Sequence, residues 1–226
     1  MGVDTGLPCS ARITARVRSC LPLGEFLSAC PEHAAGQPFA TPFWPEPKLS
    51  PEGSLVTNDV YQQFTCCTAP VLDYPEVIRA NAEARGTREQ VSRVSRILQG
   101  EPAPSDAALK ETATAIMPLY FKHFDAEQAK AIVENTHFSA TASNHAFATC
   151  IPSYNVLPRL SEITVPTLVL AGRDDWITPP REGAERIHAA LPNSELVIFE
   201  DSGHFPFIEE QARFLTIVRE FIERLP

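Results

Sequence analysis

The feature that most constrains the fold is a short run, Pro166-Thr-Leu-Val-Leu-Ala-Gly172, apolar at almost every position. A strand without polar alternation has no face for water, so it belongs inside a parallel sheet covered by helices on both sides. The following residues supply the rest of such a unit. Pro180–Leu191 reads as a crossover helix and Glu195-Leu-Val-Ile-Phe199 as a second strand. Over Phe207–Leu225, Phe214, Val218, Phe221 and Leu225 recur at helical spacing. Strand, helix, strand and helix at these intervals predict a right-handed βαβ unit with a covering helix over residues 158–226.

Upstream the chain changes character twice. In residues 1–54, prolines at 8, 22, 31, 38, 42, 45, 47 and 51 each fix φ and remove a donor. This segment is expected to be poorly ordered, with one short helix near Ala11–Leu21. Residues 55–70 can hold a strand, best placed at Phe64–Thr68 and closed by Pro70. Residues 71–157 read as an all-helical module. Tyr74–Arg85 ends at Gly86, a residue suited to the position after a helix. Thr87 with Gln90 three residues on forms a capping box, and Val91, Val94, Ile97 and Leu98 line one face as far as Gly100. Ser105–Phe124, interrupted at Pro118, and Ala126–Glu134 complete it.

The bulk numbers exclude several function classes. A formal net charge of −9 leaves no basic face for nucleic acid or an anionic membrane. No stretch of about 18 apolar residues is present to span a bilayer. The segment Leu21–Leu27 is broken by Pro22, Gly24 and Glu25 and makes no signal-peptide core. Six cysteines at 9, 20, 30, 66, 67 and 150 show neither CxxC nor His-spaced pairs, so no zinc site or disulfide framework is indicated. A cytoplasmic protein with reduced thiols is the expectation.

Parallel sheets gather reactive groups at the carboxyl ends of their strands. Gly172-Arg173-Asp174-Asp175-Trp176 follows the first strand, and Asp201-Ser202-Gly203-His204-Phe205-Pro206-Phe207 follows the second. Alone, a strand-end aspartate caps a helix or forms a turn, and a loop histidine sits on the surface or in the core. Together, at the ends of neighbouring strands, Asp175 and His204 can hydrogen-bond. That pairing fixes the imidazole tautomer and stabilises the imidazolium formed in acyl transfer. Asp174 reads as a turn or cap residue. His33, His123, His137, His145 and His188 read as structural or solvent-facing.

Val165-Pro-Thr-Leu-Val-Leu-Ala-Gly-Arg-Asp-Asp-Trp-Ile-Thr-Pro-Pro180 and Ser202-Gly-His-Phe-Pro-Phe-Ile-Glu-Glu210 resemble the last two strands of the α/β-hydrolase superfamily, most closely its proline iminopeptidase-like branch. Cys67-Thr-Ala-Pro70 and Ile78-Arg-Ala-Asn-Ala-Glu-Ala-Arg-Gly86 resemble the sixth strand's end and the start of the helical cap that follows it. The resemblance covers about residues 64–226. It implies a partial α/β-hydrolase fold with an inserted cap, Asp175 as the catalytic acid and His204 as the catalytic base. It also implies an ester, amide or peptide substrate and no cofactor or metal. Trp176, Phe205 and Phe207 are candidates to line the pocket, though such aromatics serve a core equally well. Glu76, Glu83 and Glu134 are candidates to hold a substrate amine, though solvated helix faces account for them as well.

The nucleophile is where the pattern departs from the family. The motif Gly-x-Ser-x-Gly is absent, and its nearest echo, Gly36-Gln-Pro-Phe-Ala40, has proline at the reacting position. Ser10, Ser50, Ser54 and Cys66 lack flanking glycines. Residues 1–63 are too few and too proline-rich to supply the family's earlier strands, so a truncated or frame-disrupted hydrolase, inactive alone, is expected. The few remaining strands would leave an open edge for self-association. Two alternatives stay open: a non-catalytic remnant or interaction protein, and a hydrolase of the epoxide hydrolase or dehalogenase type with an aspartate nucleophile.

Overall fold

The computed structural model describes residues 62–224, together with the backbone of two short strands, β1 (Lys48–Leu49) and β2 (Leu55–Val56). The expected Ala11–Leu21 helix lies outside the described residues, as do Pro38 and the serines at 10, 50 and 54. β1 and β2 pair antiparallel, a ladder the proline-rich reading did not anticipate.

The body is a parallel three-stranded sheet among the described residues, in the order β3 (Gln63–Cys66), β4 (Thr167–Gly172), β5 (Ser194–Phe199). β4 is central. Cys66 stands opposite Leu170, and Gly172 opposite Phe199. Every residue of β4 is buried, as its continuous apolar pattern requires, and successive side chains go to opposite faces. Val169 and Ala171 pack with Ala184, Ile187 and Leu191 on and beside α6 (Ala184–Ala190). Leu168 and Leu170 pack with Phe199 and Phe221 beneath α8 (Gln211–Glu223). Both leucines are fully buried, each stabilising the fold by roughly 1.5–3 kcal/mol.

Between β3 and β4 runs the helical block. Helices α1 (Pro75–Arg85), α2 (Arg88–Leu98), α3 (Asp106–Ile116), α4 (Ala126–Asn135) and α5 (Ala140–His145) are joined by short 3-10 and π turns. The Thr87/Gln90 capping box forms as expected, with Gln90 N donating to Thr87 Oγ1 at 3.3 Å and Thr87 N donating to Gln90 Oε1 at 2.8 Å. Pro118 ends α3 and turns the chain into the 3-10 segment Met117–Tyr120.

Several details differ from the sequence reading: the strand read at Phe64–Thr68 runs Gln63–Cys66, and the helical stretch read over Ser105–Phe124 ends at Tyr120. Gly86 follows α1 in an extended rather than a left-handed conformation. The crossover helix begins at Ala184, because Pro179 and Pro180 hold the preceding residues in turns. The terminal helix is split into α7 (Pro206–Glu209) and α8, since Glu209 and Glu210 turn back to bind loop amides instead of continuing one helical face.

Candidate active site

The ends of β4 and β5 are pressed together by backbone contacts. Arg173 N donates to Phe199 O at 2.8 Å and Asp174 N to Ser202 O at 3.0 Å. A Cβ on Gly172 would lie 1.8 Å from Gly203 O, and one on Gly203 would lie 2.5 Å from Tyr120 O. Only glycines permit the two loops to approach each other and the 117–120 turn this closely. Glu209 accepts from Gly203 N at 2.7 Å and from Lys122 N at 2.8 Å, while Glu210 accepts from Ser202 Oγ at 2.8 Å. The two carboxylates thus tie the histidine loop to α7 and to the chain after the 3-10 turn.

This packing brings Asp175 and His204 together. The histidine Nδ1 lies 2.7 Å from Asp175 Oδ2, and each residue is 2% exposed. Asp175 Oδ1 accepts from the Ile177 and Thr178 amides, both at 3.0 Å, and Oδ2 also accepts from Thr178 Oγ1 at 2.6 Å. The aspartate therefore forms a turn and orients a histidine at once. Burial pushes its carboxyl upward, but His204 and the Thr178 hydroxyl and amide outweigh that and hold it below the ordinary carboxylate range. An ionised carboxylate only accepts, so the imidazole proton sits on Nδ1 and leaves Nε2 as a base.

Tyr120 is the hub of the surroundings. Its carbonyl accepts from His204 N at 2.7 Å. Its ring meets His204 edge-on at 5.2 Å, Trp176 edge-on at 5.4 Å, and stacks on Phe205 at 5.6 Å. Trp176 and Phe205 are each 2% exposed and belong to two apolar clusters, one with Tyr74 and Ile78, the other with Phe121 and Val133. Phe207 is half-buried against Phe205 and Phe214.

Cys67 is a residue that sequence reasoning passed over. It follows β3 directly with φ +48°, a left-handed backbone that non-glycine residues seldom adopt. It is buried, and its Sγ, an Asp175 oxygen and a His204 ring nitrogen all lie within 4.8 Å of one another. Burial, together with the neighbouring Cys66, pushes its thiol well up.

The other candidates stand apart. Asp174, in a turn as expected, bonds Lys122 Nζ at 3.0 Å, and the same ammonium reaches Asp201 at 3.2 Å. His123 is exposed and pairs with Asp201 at 3.0 Å. His188 bonds Ser194 Oγ at 2.8 Å, and His137 and His145 are exposed. Glu76, Glu83 and Glu134 are exposed on helix surfaces, and Glu134 faces Lys130. Among the described residues no hydroxyl or thiol hydrogen-bonds His204 Nε2. A cavity of about 300 Å³ lined by Met117, Phe124, Ala129 and Val133 lies between α3 and α4, away from the pair. No helix among the described residues is long and apolar enough to cross a membrane.

Comparisons with known proteins bear on the family and the fold. The proline iminopeptidase of Saccharolobus solfataricus is 39% identical over 75 residues, covering 33% of this chain and 24% of that protein. The pimeloyl-[acyl-carrier protein] methyl ester esterase of Neisseria meningitidis is 42% identical over 64 residues, 28% of this chain and 24% of that protein. These matches span about a quarter of either relative's length. The structure of the Mycobacterium smegmatis proline iminopeptidase superposes with a TM-score of 0.53 at 16% identity, covering 73% of this chain and 57% of that one. That likeness is one of fold. The model of the alpha/beta hydrolase fold matches residues 69–211, running from the end of β3 through the Asp175 and His204 loops into α8. With well over half of its length matched and the acid–histidine pair at neighbouring strand ends, this chain belongs to the α/β hydrolase fold family, with proline iminopeptidases among its relatives.

Proposed function

We propose that residues 62–224 carry the acid–base half of a hydrolase that cleaves an ester, amide or peptide bond by nucleophile–histidine–aspartate chemistry. The observation that carries this reading is the buried 2.7 Å hydrogen bond between His204 Nδ1 and Asp175 Oδ2. In the mechanism, His204 Nε2 takes the proton of the attacking group and later returns it to the leaving group. Asp175 holds the imidazole in the productive tautomer and stabilises its charged form. The helical block over residues 71–157 acts as a cap over the substrate, with Trp176 and Phe205 bracing Tyr120 as the aromatic wall beside His204. Relatives that include an iminopeptidase and a methyl ester esterase support a small acyl or peptidyl substrate.

The nucleophile is not assigned to this chain. The absence of Gly-x-Ser-x-Gly from the sequence supports the second reading, a non-catalytic form of the fold. A fluorophosphonate probe followed by mass spectrometry separates the two. The chain alone is expected to give no stoichiometric adduct. Residues 158–226, grafted into a serine-active relative in place of its own matching segment, are expected to support hydrolysis there. In that chimaera, His204→Ala should cost on the order of 10⁴–10⁶ in kcat. An active chimaera indifferent to His204→Ala would refute the catalytic assignment.

A further inference from the structure

Asp175 is fixed from within its own loop by the Ile177 and Thr178 amides, but the backbone on either side of it is held from elsewhere. Asn81 Nδ2 donates to the carbonyl of Trp176 at 3.0 Å, and Arg85 Nη1 donates to the carbonyl of Asp174. Both side chains come from α1, 95 and 89 residues away from the carbonyls they bind. Asn81 and Arg85 stand one helical turn apart, so a single face of α1 presents them together. The carbonyls before and after the acid are therefore gripped from the same direction. Ile78 and Ala82, buried in one apolar cluster with Trp176, seat α1 against this loop.

Arg85 does more than hold the acid loop. Its Nη2 donates to the carbonyl of Phe121 at 2.8 Å. Phe121 is flanked by Tyr120, whose carbonyl accepts from His204 N at 2.7 Å, and by Lys122, whose amide donates to Glu209 at 2.8 Å. One planar guanidinium thus joins the segment that carries the acid to the segment that seats the histidine. Its rigid fork reaches two acceptors at once, which a lysine ammonium on a flexible stem does less well. Lys122 adds a further tie, its Nζ lying 3.0 Å from Asp174 Oδ2. Arg85 is exposed, so water can solvate either carbonyl when the side chain is removed. The fold then survives, and what is lost is the bridge.

We infer that Asn81 and Arg85 are positioning residues, through which α1 of the helical block sets the geometry of the Asp175–His204 hydrogen bond. They act on the carbonyls of residues 174, 176 and 121, and not by hydrogen-bonding either member of the pair. Their work is to keep Asp175 Oδ2 and His204 Nδ1 at 2.7 Å, a bond whose two ends lie in different loops. A displacement of α1 therefore loosens the pair, so the helical block and the acid–base groups move together. Misplacement by about 1 Å can cost a reaction about 100-fold, which is the scale on which such a clamp matters. This inference rests on the acid–base role proposed for the pair, since otherwise the clamp positions nothing that reacts.

The test is nuclear magnetic resonance of the full chain with isotope-labelled histidines, reading the His204 Nδ1–H proton. That proton is sheltered, because His204 is 2% exposed, and His204→Ala assigns its signal. In Asn81→Ala/Arg85→Ala the signal is expected to move upfield and to exchange with solvent at least ~10-fold faster. Three hydrogen bonds are lost there, each worth a factor of about 2–10 in local opening. Arg85→Lys should fall between wild type and Arg85→Ala. Arg93→Ala is the control for a general loss of stability. It removes bonds to Glu89, Glu111 and Thr112 in the same helical block and should leave the signal unchanged. Circular dichroism confirms that each variant is folded before the measurement. A double variant with the wild-type shift and exchange rate, or an Arg93→Ala chain loosened just as much, would overturn the inference. A folded wild-type chain with no His204-dependent signal would instead overturn the acid–histidine reading, and this inference with it.

Discussion

Replacing Asp175 by alanine and by asparagine should separate its two jobs, and the structure sets the size of each effect. The carboxylate accepts from four donors: the amides of Ile177 and Thr178, the Thr178 hydroxyl, and His204 Nδ1. In Asp175→Ala the hydroxyl can rotate and the imidazole can move its proton to Nε2, but the two backbone amides cannot be rescued. Each buried orphan costs about 1–3 kcal/mol, so alanine should destabilise by about 2–6 kcal/mol. Asparagine keeps Oδ1 for both amides and loses only the Oδ2 side, for about 1–2 kcal/mol. Its amide then donates to Nδ1, leaving the imidazole in the wrong tautomer for a base. Urea unfolding followed by circular dichroism measures both through the midpoint and slope. Acidification adds an independent check. The folded carboxyl titrates below its unfolded value, so between the two the unfolded chain holds a proton that the folded one does not. Stability therefore rises with pH in that window. The contribution is complete above the unfolded value of about 3.9 and is lost as pH falls through the folded one. The gap between wild type and Asp175→Asn should close on acidification. If alanine proves no worse than asparagine, or both lie within about 0.5 kcal/mol of wild type, the buried four-donor arrangement is wrong.

Other positions give equally direct checks. Gly203→Ala would drive a Cβ into the Tyr120 carbonyl at 2.5 Å and the Lys122 amide at 2.9 Å. It should lower stability by about 1–3 kcal/mol or more, and a thermal midpoint equal to wild type would show that the histidine loop is not seated on that turn. Leu168→Ala, at a fully buried position of β4, should cost about 2–5 kcal/mol. Leu215→Ala, at a position 52% exposed, should cost under about 0.5 kcal/mol in the same denaturation assay. Thr87→Ala removes the Oγ1 half of the α2 capping box, leaving the residue 87 backbone N–H to donate to Gln90, and should cost about 1 kcal/mol. β3 and β5 each have one edge without a partner strand among the described residues. Sedimentation should therefore show concentration-dependent self-association, and a strictly monomeric chain at high concentration would count against it.

What could be read from the sequence was whatever local pattern determines. β4 is apolar because both its faces are covered, and that alone located the sheet. The Thr87 cap and the Pro118 break depend only on residues within one turn, and both occur as expected. Asp175 and His204 were legible because each follows a strand directly, and parallel neighbours must bring such ends together. The split of the terminal helix was not legible, because it depends on where the Glu209 and Glu210 carboxylates find partners, at amides 86 residues away in one case. The same reason hid Tyr120, whose carbonyl holds the histidine backbone from a turn 84 residues upstream in the sequence.

Cys67 makes the point most sharply. Nothing in Cys66-Cys67-Thr68 places a thiol beside the acid–histidine pair. That proximity exists only after β3, β4 and β5 are laid side by side, which puts a sulfur from one strand end beside an oxygen and a nitrogen from the next two. The register that pairs Cys66 with Leu170 and Gly172 with Phe199 therefore sets the geometry of this cluster as well as the acid–histidine pair. A substitution that slipped β3 by one residue would exchange the faces presented by Cys66 and Cys67. It would turn the Cys67 thiol away from the pair while leaving the Asp175–His204 bond, carried by β4 and β5, in place.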